Sequence, residues 1–166
     1  MTELGLDPNG FTAPMYYDLP DYGFNNAPFQ TIDRDGLSQW QTWRQLANQA
    51  CEAFLGYVQT SSENRTWSHH FDTGIFTQIN TRMGVGFGLA MSDSMVPSPY
   101  FFLTGYLSDK EIDYTNPPHL DRGNWKTEDW KGAVFPLSDV SALKREDGVR
   151  ALKAFMVETT LWYLSQ

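Results

Sequence analysis

The sequence predicts an α+β fold in which a small antiparallel sheet of about four or five strands packs with an amphipathic helix near each end of the chain. Apolar residues recur every three or four positions in segments 37–58 and 147–164, and at every second position over 75–91. A chain of 166 residues has the length of one ordinary domain. We therefore expect residues 1–166 to form a single domain, in which residues 1–36 are an extended arm packed on the body.

The expected arm combines turn-forming residues with aromatic ones. Pro14, Pro20 and Pro28 interrupt any long periodic element. A disordered tail is usually poor in aromatic residues, whereas this segment contains Phe11, Tyr16, Tyr17, Tyr22, Phe24 and Phe29. We expect the arm to cover part of the core, or alternatively to bind a partner, because aromatic residues are enriched at interface hot spots.

The first helix is expected from Leu37 to about Val58. The residues on its apolar face include Trp40, Trp43, Ala47, Cys51 and Phe54. Asp35 or Ser38 can accept hydrogen bonds from the free amides at its start. Its single cysteine is expected to be a small core residue, and one cysteine cannot form an intramolecular disulfide, which fits a reducing compartment.

A hairpin is expected between Ile75 and Met91, where apolar and other residues alternate in the period of a strand. One strand of this length would span about 56 Å, which is too long for a small domain. A three-residue loop at residues 80–82 places Ile79 opposite Met83 and keeps the apolar side chains on one face.

Three glycines, Gly84, Gly86 and Gly88, leave one face of the second hairpin strand without side chains. Glycine weakens a strand, so this spacing implies that another group approaches the backbone closely. We expect a helix or an aromatic ring of the arm to cover the glycines, or alternatively a flat ligand or peptide to bind there. The spacing is not that of a dinucleotide-binding loop, which would be followed by a helix.

The remaining strands and the second helix lie in the second half of the chain. Residues 100–107 are apolar on both faces, which is typical of a central strand. Residues 131–135 predict another strand, ended by Pro136, and residues 147–164 predict the closing helix, whose apolar face is expected to include Val149. Between these strands, residues 108–124 show no clear period, and such a long connection is often functional.

The composition limits the classes of partner. Aspartate and glutamate outnumber lysine and arginine by 20 to 12, which gives a formal net charge of −8. That charge disfavours binding to nucleic acid and to anionic membranes. The chain begins without the basic and apolar segments of a signal peptide and contains no apolar run of membrane-spanning length. We expect a soluble, cytoplasmic protein.

The leading functional hypothesis is a noncatalytic, acidic protein-binding module whose partner is another protein, itself basic. Bacterial immunity proteins and acidic effector chaperones have similar compositions, and the likeness is one of class only. We expect no cofactor, because the sequence contains no phosphate loop and no nucleophile elbow. The expected contact surface is the long loop, through an exposed Tyr114 and the carboxylates of Asp109, Glu111, Asp113 and Asp121.

The alternative hypothesis is a small metal-dependent hydrolase. Imidazole and carboxylate groups suit zinc or iron, and the candidate ligands are His69, His70, Asp72, His119 and Asp121. Adjacent histidines at the start of a strand point to opposite faces, so they do not readily bind the same ion. The expectation is therefore that no metal is bound.

Overall fold

The computed structural model describes residues 33–67 and 71–166, which form one six-stranded antiparallel sheet and three α-helices. The predicted α+β class is confirmed, and the sheet has six strands rather than four or five. The arm expected at residues 1–36 lies outside the described residues except at its end. There, Arg34 to Gly36 already belong to the first helix.

The three helices are α1 (Arg34–Val58), α2 (Leu137–Ser141) and α3 (Arg145–Leu164). The strands, which are all antiparallel to their neighbours, lie in the order β1-β2-β3-β4-β6-β5. Their bounds are β1 (Arg65–Trp67), β2 (Asp72–Gln78), β3 (Met83–Ala90), β4 (Tyr100–Leu107), β5 (Asn124–Lys126) and β6 (Gly132–Pro136). Both β1 and β5 are edge strands of three residues, and neither was predicted.

Helix α1 begins earlier than its apolar pattern indicated. Its N-cap is Asp33, whose carboxylate accepts hydrogen bonds from the amides of Asp35 and Gly36. The expectation that Asp35 or Ser38 caps the helix is therefore wrong. The helix ends at Val58, and its C-cap Gln59 has a φ of 54°, which is in the left-handed region.

The predicted β2–β3 hairpin is confirmed. Gln78 pairs with Gly84, and the amide of Ile79 donates to the carbonyl oxygen of Met83 at 2.9 Å. Residues 80–82 form the three-residue loop between them. The side-chain oxygen of Asn80 accepts hydrogen bonds from the amides of Arg82 and Met83, each at 2.8 Å, and these bonds fix the turn.

Helix α3 closes the domain over β4 and β6, whereas α1 lies over β2 and β3. Phe155 and Tyr163 of α3 are fully buried. Val149, which the helical period placed on the core face, is exposed instead. Among the described helices, none combines the length and the apolar character that a membrane span requires.

All three helices contribute to a core on one face of the sheet, which we call the helix face. There the ring of Phe87 stacks between those of Phe54 and Phe101, at centroid distances of 4.9 and 6.1 Å. The same core includes Ile75, Val85, Leu103, Phe135, Leu152 and Phe155. The opposite face, which we call the glycine face, carries Gly74, Phe76, Gly84, Gly86, Gly88, Phe102, Thr104 and Tyr106.

Candidate functional site

The glycine face is organised around the three predicted glycines of β3. Across the sheet, Gly84 lies between Gln78 and Tyr106, because it pairs with both. Gly86 lies likewise between Phe76 and Thr104, and Gly88 between Gly74 and Phe102. Strand β3 therefore contributes no side chains to this face at these three positions, and larger side chains flank them.

Aromatic rings of the flanking strands lie against these glycines. A Cβ atom at Gly84 would lie 2.7 Å from Cζ of Phe76, and one at Gly88 would lie 3.1 Å from Cε1 of Phe102. Within the described residues, the covering rings thus come from β2 and β4 rather than from a helix. The physical reason is that a strand without Cβ atoms lets its neighbours' rings tilt down onto its backbone.

One end of the glycine face is closed by residues 91–99. Val96 packs on Tyr100 and Val134 in a small second core. Asp93 fixes this segment, because its carboxylate accepts hydrogen bonds from the amide of Val96 at 2.9 Å and from the hydroxyl of Tyr100 at 2.6 Å. Burial, and next the bond to Asp93, raise the pKa of Tyr100 above its ordinary value.

The other end of the glycine face is open to solvent. Phe76 and Tyr106, which we call the aromatic pair, are 44% and 52% exposed. Their ring centroids are 5.7 Å apart at an interplanar angle of 63°, which is an edge-to-face contact. Two partly exposed rings in contact are a candidate binding surface, since such residues dominate interface hot spots.

Loop 108–123 leaves the sheet directly after Tyr106 and Leu107. It is tied to the β2–β3 turn, because the amide of Ser108 donates to the carbonyl oxygen of Arg82 at 2.9 Å. The guanidinium of Arg82 also donates to both carboxylate oxygens of Asp109, at 3.2 and 3.3 Å. The loop and the aromatic pair therefore begin at the same end of the sheet.

Tyr114 is buried, so the expectation that it is an exposed contact residue is wrong. Its hydroxyl lies 3.0 Å from that of Tyr163, and burial raises its pKa. Ile112 and Leu120 are buried as well. These three side chains anchor the loop to the core.

Beyond Leu103, aromatic side chains rather than a strand lie beside β4. They are Tyr114 and the rings it contacts, Trp125, Trp162 and Tyr163. Strand β6 pairs with β4 only as far as Leu103, and there the hydroxyl of Tyr163 donates to the Leu103 carbonyl oxygen at 3.3 Å. A Cβ atom at Gly105 would lie 2.4 Å from the Tyr163 ring, so only glycine leaves room for it. This arrangement was not predicted, and the one signal for it in the sequence is a glycine in an otherwise apolar strand.

The predicted carboxylates of the loop are all exposed but differ in their partners. Asp109 is paired with Arg82. The hydroxyl and the amide of Thr115 bond the carboxylate of Asp113 and, with weaker help from nearby lysines, lower its pKa. The carboxylates of Glu111 and Asp121 have no hydrogen-bond or ion-pair partner among the described residues. The loop thus presents carboxylates on an anchored backbone.

The candidate metal ligands divide between described and undescribed residues. His69 and His70 lie outside the described residues. Asp72 belongs to β2, whereas His119 and Asp121 are exposed in loop 108–123. Within residues 33–67 and 71–166, no three histidine, cysteine, aspartate or glutamate side chains gather as metal ligands.

Cys51 occupies the core position that the helical period predicted. It is buried in α1, and its thiol donates to the carbonyl oxygen of Phe87 at 3.8 Å. Burial, with a smaller effect from Glu52, raises the pKa of the thiol to about 12. The thiolate needed for nucleophilic attack is therefore strongly disfavoured.

Comparison of the chain with protein-family models, with curated proteins and with solved structures finds no significant match. The features that bear on function are therefore the geometry of the glycine face and of loop 108–123. Both meet at the open end of the sheet, where the aromatic pair lies.

Proposed function

We propose that the protein is a noncatalytic, acidic binding module that contacts a basic protein through loop 108–123. The observation that carries this proposal is the way the loop is anchored. Ile112, Tyr114 and Leu120 are buried, while Glu111 and Asp113 point to solvent between and beside them. A loop held in this way loses little conformational entropy when a partner binds.

The charge of the whole chain supports a basic partner. The formal net charge of −8 produces a long-range attraction that accelerates encounters with a positively charged protein. The same charge opposes contact with nucleic acid. A cytoplasmic location belongs to this proposal, because the single cysteine is a buried thiol in α1 rather than half of a disulfide.

The experiment that tests this function is a pull-down from the native host, followed by association kinetics with the captured partner. Glu111→Lys with Asp113→Lys should slow association several-fold and flatten its salt dependence, because the steering charge is reversed. The fold should be unaffected, since both side chains are exposed.

A matched control is Asp139→Lys with Glu146→Lys, which changes the net charge equally at exposed positions of α2 and α3. Association that slows to the same extent in both double variants would show that total charge, and not the loop, matters. Unchanged association in the loop variant would remove loop 108–123 from the interface.

Elemental analysis of the purified full chain separates this proposal from the hydrolase alternative. The binding module should contain far less than one zinc, iron or manganese ion per chain. Stoichiometric metal that is lost on His119→Ala would favour the hydrolase, whose other candidate ligands include His69 and His70.

A further inference from the structure

We propose that the aromatic pair is the apolar centre of the partner-binding surface and that it receives an arginine side chain of the partner. This inference rests on the binding function proposed above. It extends the contact surface from loop 108–123 onto the open end of the glycine face and states the chemistry that is recognised there.

The aromatic pair is held in position before any partner arrives. The ring of Phe76 lies over Gly84, where no Cβ atom could be accommodated without moving it. The ring of Tyr106 contacts Phe76 edge to face, with centroids 5.7 Å apart. About half of each side chain nevertheless faces solvent. Rings fixed in this way offer contact area at a small entropic cost.

Loop 108–123 borders the aromatic pair. The loop leaves the sheet after Leu107, and the side-chain hydroxyl of Tyr114 lies within hydrogen-bonding reach of the Gly105 backbone. Glu111 and Asp113 lie between these two points and are exposed. The loop that carries these carboxylates therefore begins beside Tyr106, and the Tyr106 phenol lies close enough to Tyr114 to contribute to the rise in the pKa of Tyr114.

The groups that remain free on this surface accept hydrogen bonds or cations. The hydroxyl of Tyr106 and the carboxylate of Glu111 make no hydrogen bond to any residue in the described ranges. The exposed ring faces carry the negative side of an aromatic quadrupole. Asp109 is paired with Arg82, whereas Asp113 is hydrogen-bonded by Thr115, which is uncharged, so Glu111 and Asp113 both keep a negative charge that can attract a cation.

Arginine fits these groups better than other side chains do. Its guanidinium is planar, stacks on aromatic rings and carries five donors without an acceptor. A lysine ammonium is a compact and strongly hydrated charge that gains less from stacking. An aliphatic side chain would cover the rings but would leave the neighbouring carboxylates without a counter-charge.

The test uses the full chain and two fluorescent peptides of equal length, oligo-arginine and oligo-lysine, in an anisotropy titration at about 0.15 M salt. The wild type should bind oligo-arginine more tightly than oligo-lysine. Phe76→Leu with Tyr106→Leu should weaken oligo-arginine binding by about tenfold and abolish the preference over lysine, because leucine keeps apolar area but has no ring face. Leu161→Ala with Leu164→Ala, which removes exposed apolar groups from α3, is the control and should bind as the wild type does.

Three results would overturn this inference. The first is equal affinity of the wild type for the two peptides, and the second is unchanged oligo-arginine binding in the leucine variant. The third is absence of oligo-arginine binding to the wild type. None of these results contradicts the proposed function if association with a captured partner is still slowed by Glu111→Lys with Asp113→Lys. Failure of this inference can therefore be distinguished from failure of the proposed function. Circular dichroism of the leucine variant separates lost binding from lost folding.

Discussion

The two faces of the sheet are both apolar, but they are covered in different ways. On the helix face, Phe54 of α1 stacks on Phe87 and Phe101 of the sheet, and all three rings are fully buried. On the glycine face, the rings of Phe76 and Phe102 lie against glycines of β3. Alternate glycines thus allow a sheet to carry aromatic rings close to its backbone while one end of the face stays exposed to solvent.

The largest expected effect is on the helix face. Phe87→Ala should lower the free energy of unfolding by about 3–5 kcal/mol, because it removes the central ring of the stack and leaves a cavity. Phe76→Ala should cost about 1–2 kcal/mol, since its ring is already partly hydrated. Urea denaturation of both variants measures the difference. Equal decreases in the free energy of unfolding would mean that the two faces are shielded from solvent to the same degree.

The glycines of β3 should differ among themselves by a smaller amount. A Cβ atom at Gly88 would lie 2.4 Å from the carbonyl oxygen of Thr73 and 2.7 Å from Cα of Gly74, and backbone atoms cannot easily move. Gly88→Ala should therefore cost about 3 kcal/mol.

Gly86 is the matched control, because its Cβ atom would lie no nearer than 3.3 Å to any of its three nearest neighbours, which are the methyl group of Thr104, the ring of Tyr106 and the carbonyl oxygen of Ile75. Alanine gains back roughly 0.5–1 kcal/mol of backbone entropy in a strand, so Gly86→Ala should change the free energy of unfolding by less than about 1 kcal/mol. The bulkier side chain of Gly86→Val should lower the free energy of unfolding by about 1–3 kcal/mol. A Gly86→Ala variant as unstable as Gly88→Ala would contradict this order.

Alkaline pH should act on the helix face through Cys51. Burial favours the neutral thiol, so its pKa is raised to about 12 in the folded chain, against about 8.5 in the unfolded chain. The resulting stabilisation is complete below pH of about 8.5 and falls by about 1.4 kcal/mol per pH unit as the pH rises towards 12. Cys51→Ala should show a shallower decline in urea unfolding between these pH values. Parallel curves for the two proteins would show that the thiol is not buried in this way.

The long periodic elements were predictable from the sequence, whereas the short ones were not. Helices α1 and α3 and the β2–β3 hairpin show their period over enough residues to be recognised. Strands β1 and β5 and helix α2 have three to five residues each and show no period. The positions of β1 and β5 depend on which strands lie at the edges of the sheet, and the sequence does not reveal the strand order.

The candidate site was only partly predictable for a related reason. The glycines of β3 indicated close approach, but the source of the rings depends on which strands lie next to β3. In the loop, Glu111 and Asp113 alternate with Ile112 and Tyr114, and this alternation is too short to indicate which side faces the core. The structure reverses the role of Tyr114 from contact residue to anchor.

If the open end of the glycine face serves binding, it should contribute little to folding. The stability of the variant Phe76→Leu with Tyr106→Leu tests this directly. Urea denaturation should give a free energy of unfolding within about 1 kcal/mol of the wild-type value, because about half of each side chain already faces solvent and leucine keeps part of the buried apolar area. A loss of about 3 kcal/mol or more, the size expected for a closed core, would contradict the claim.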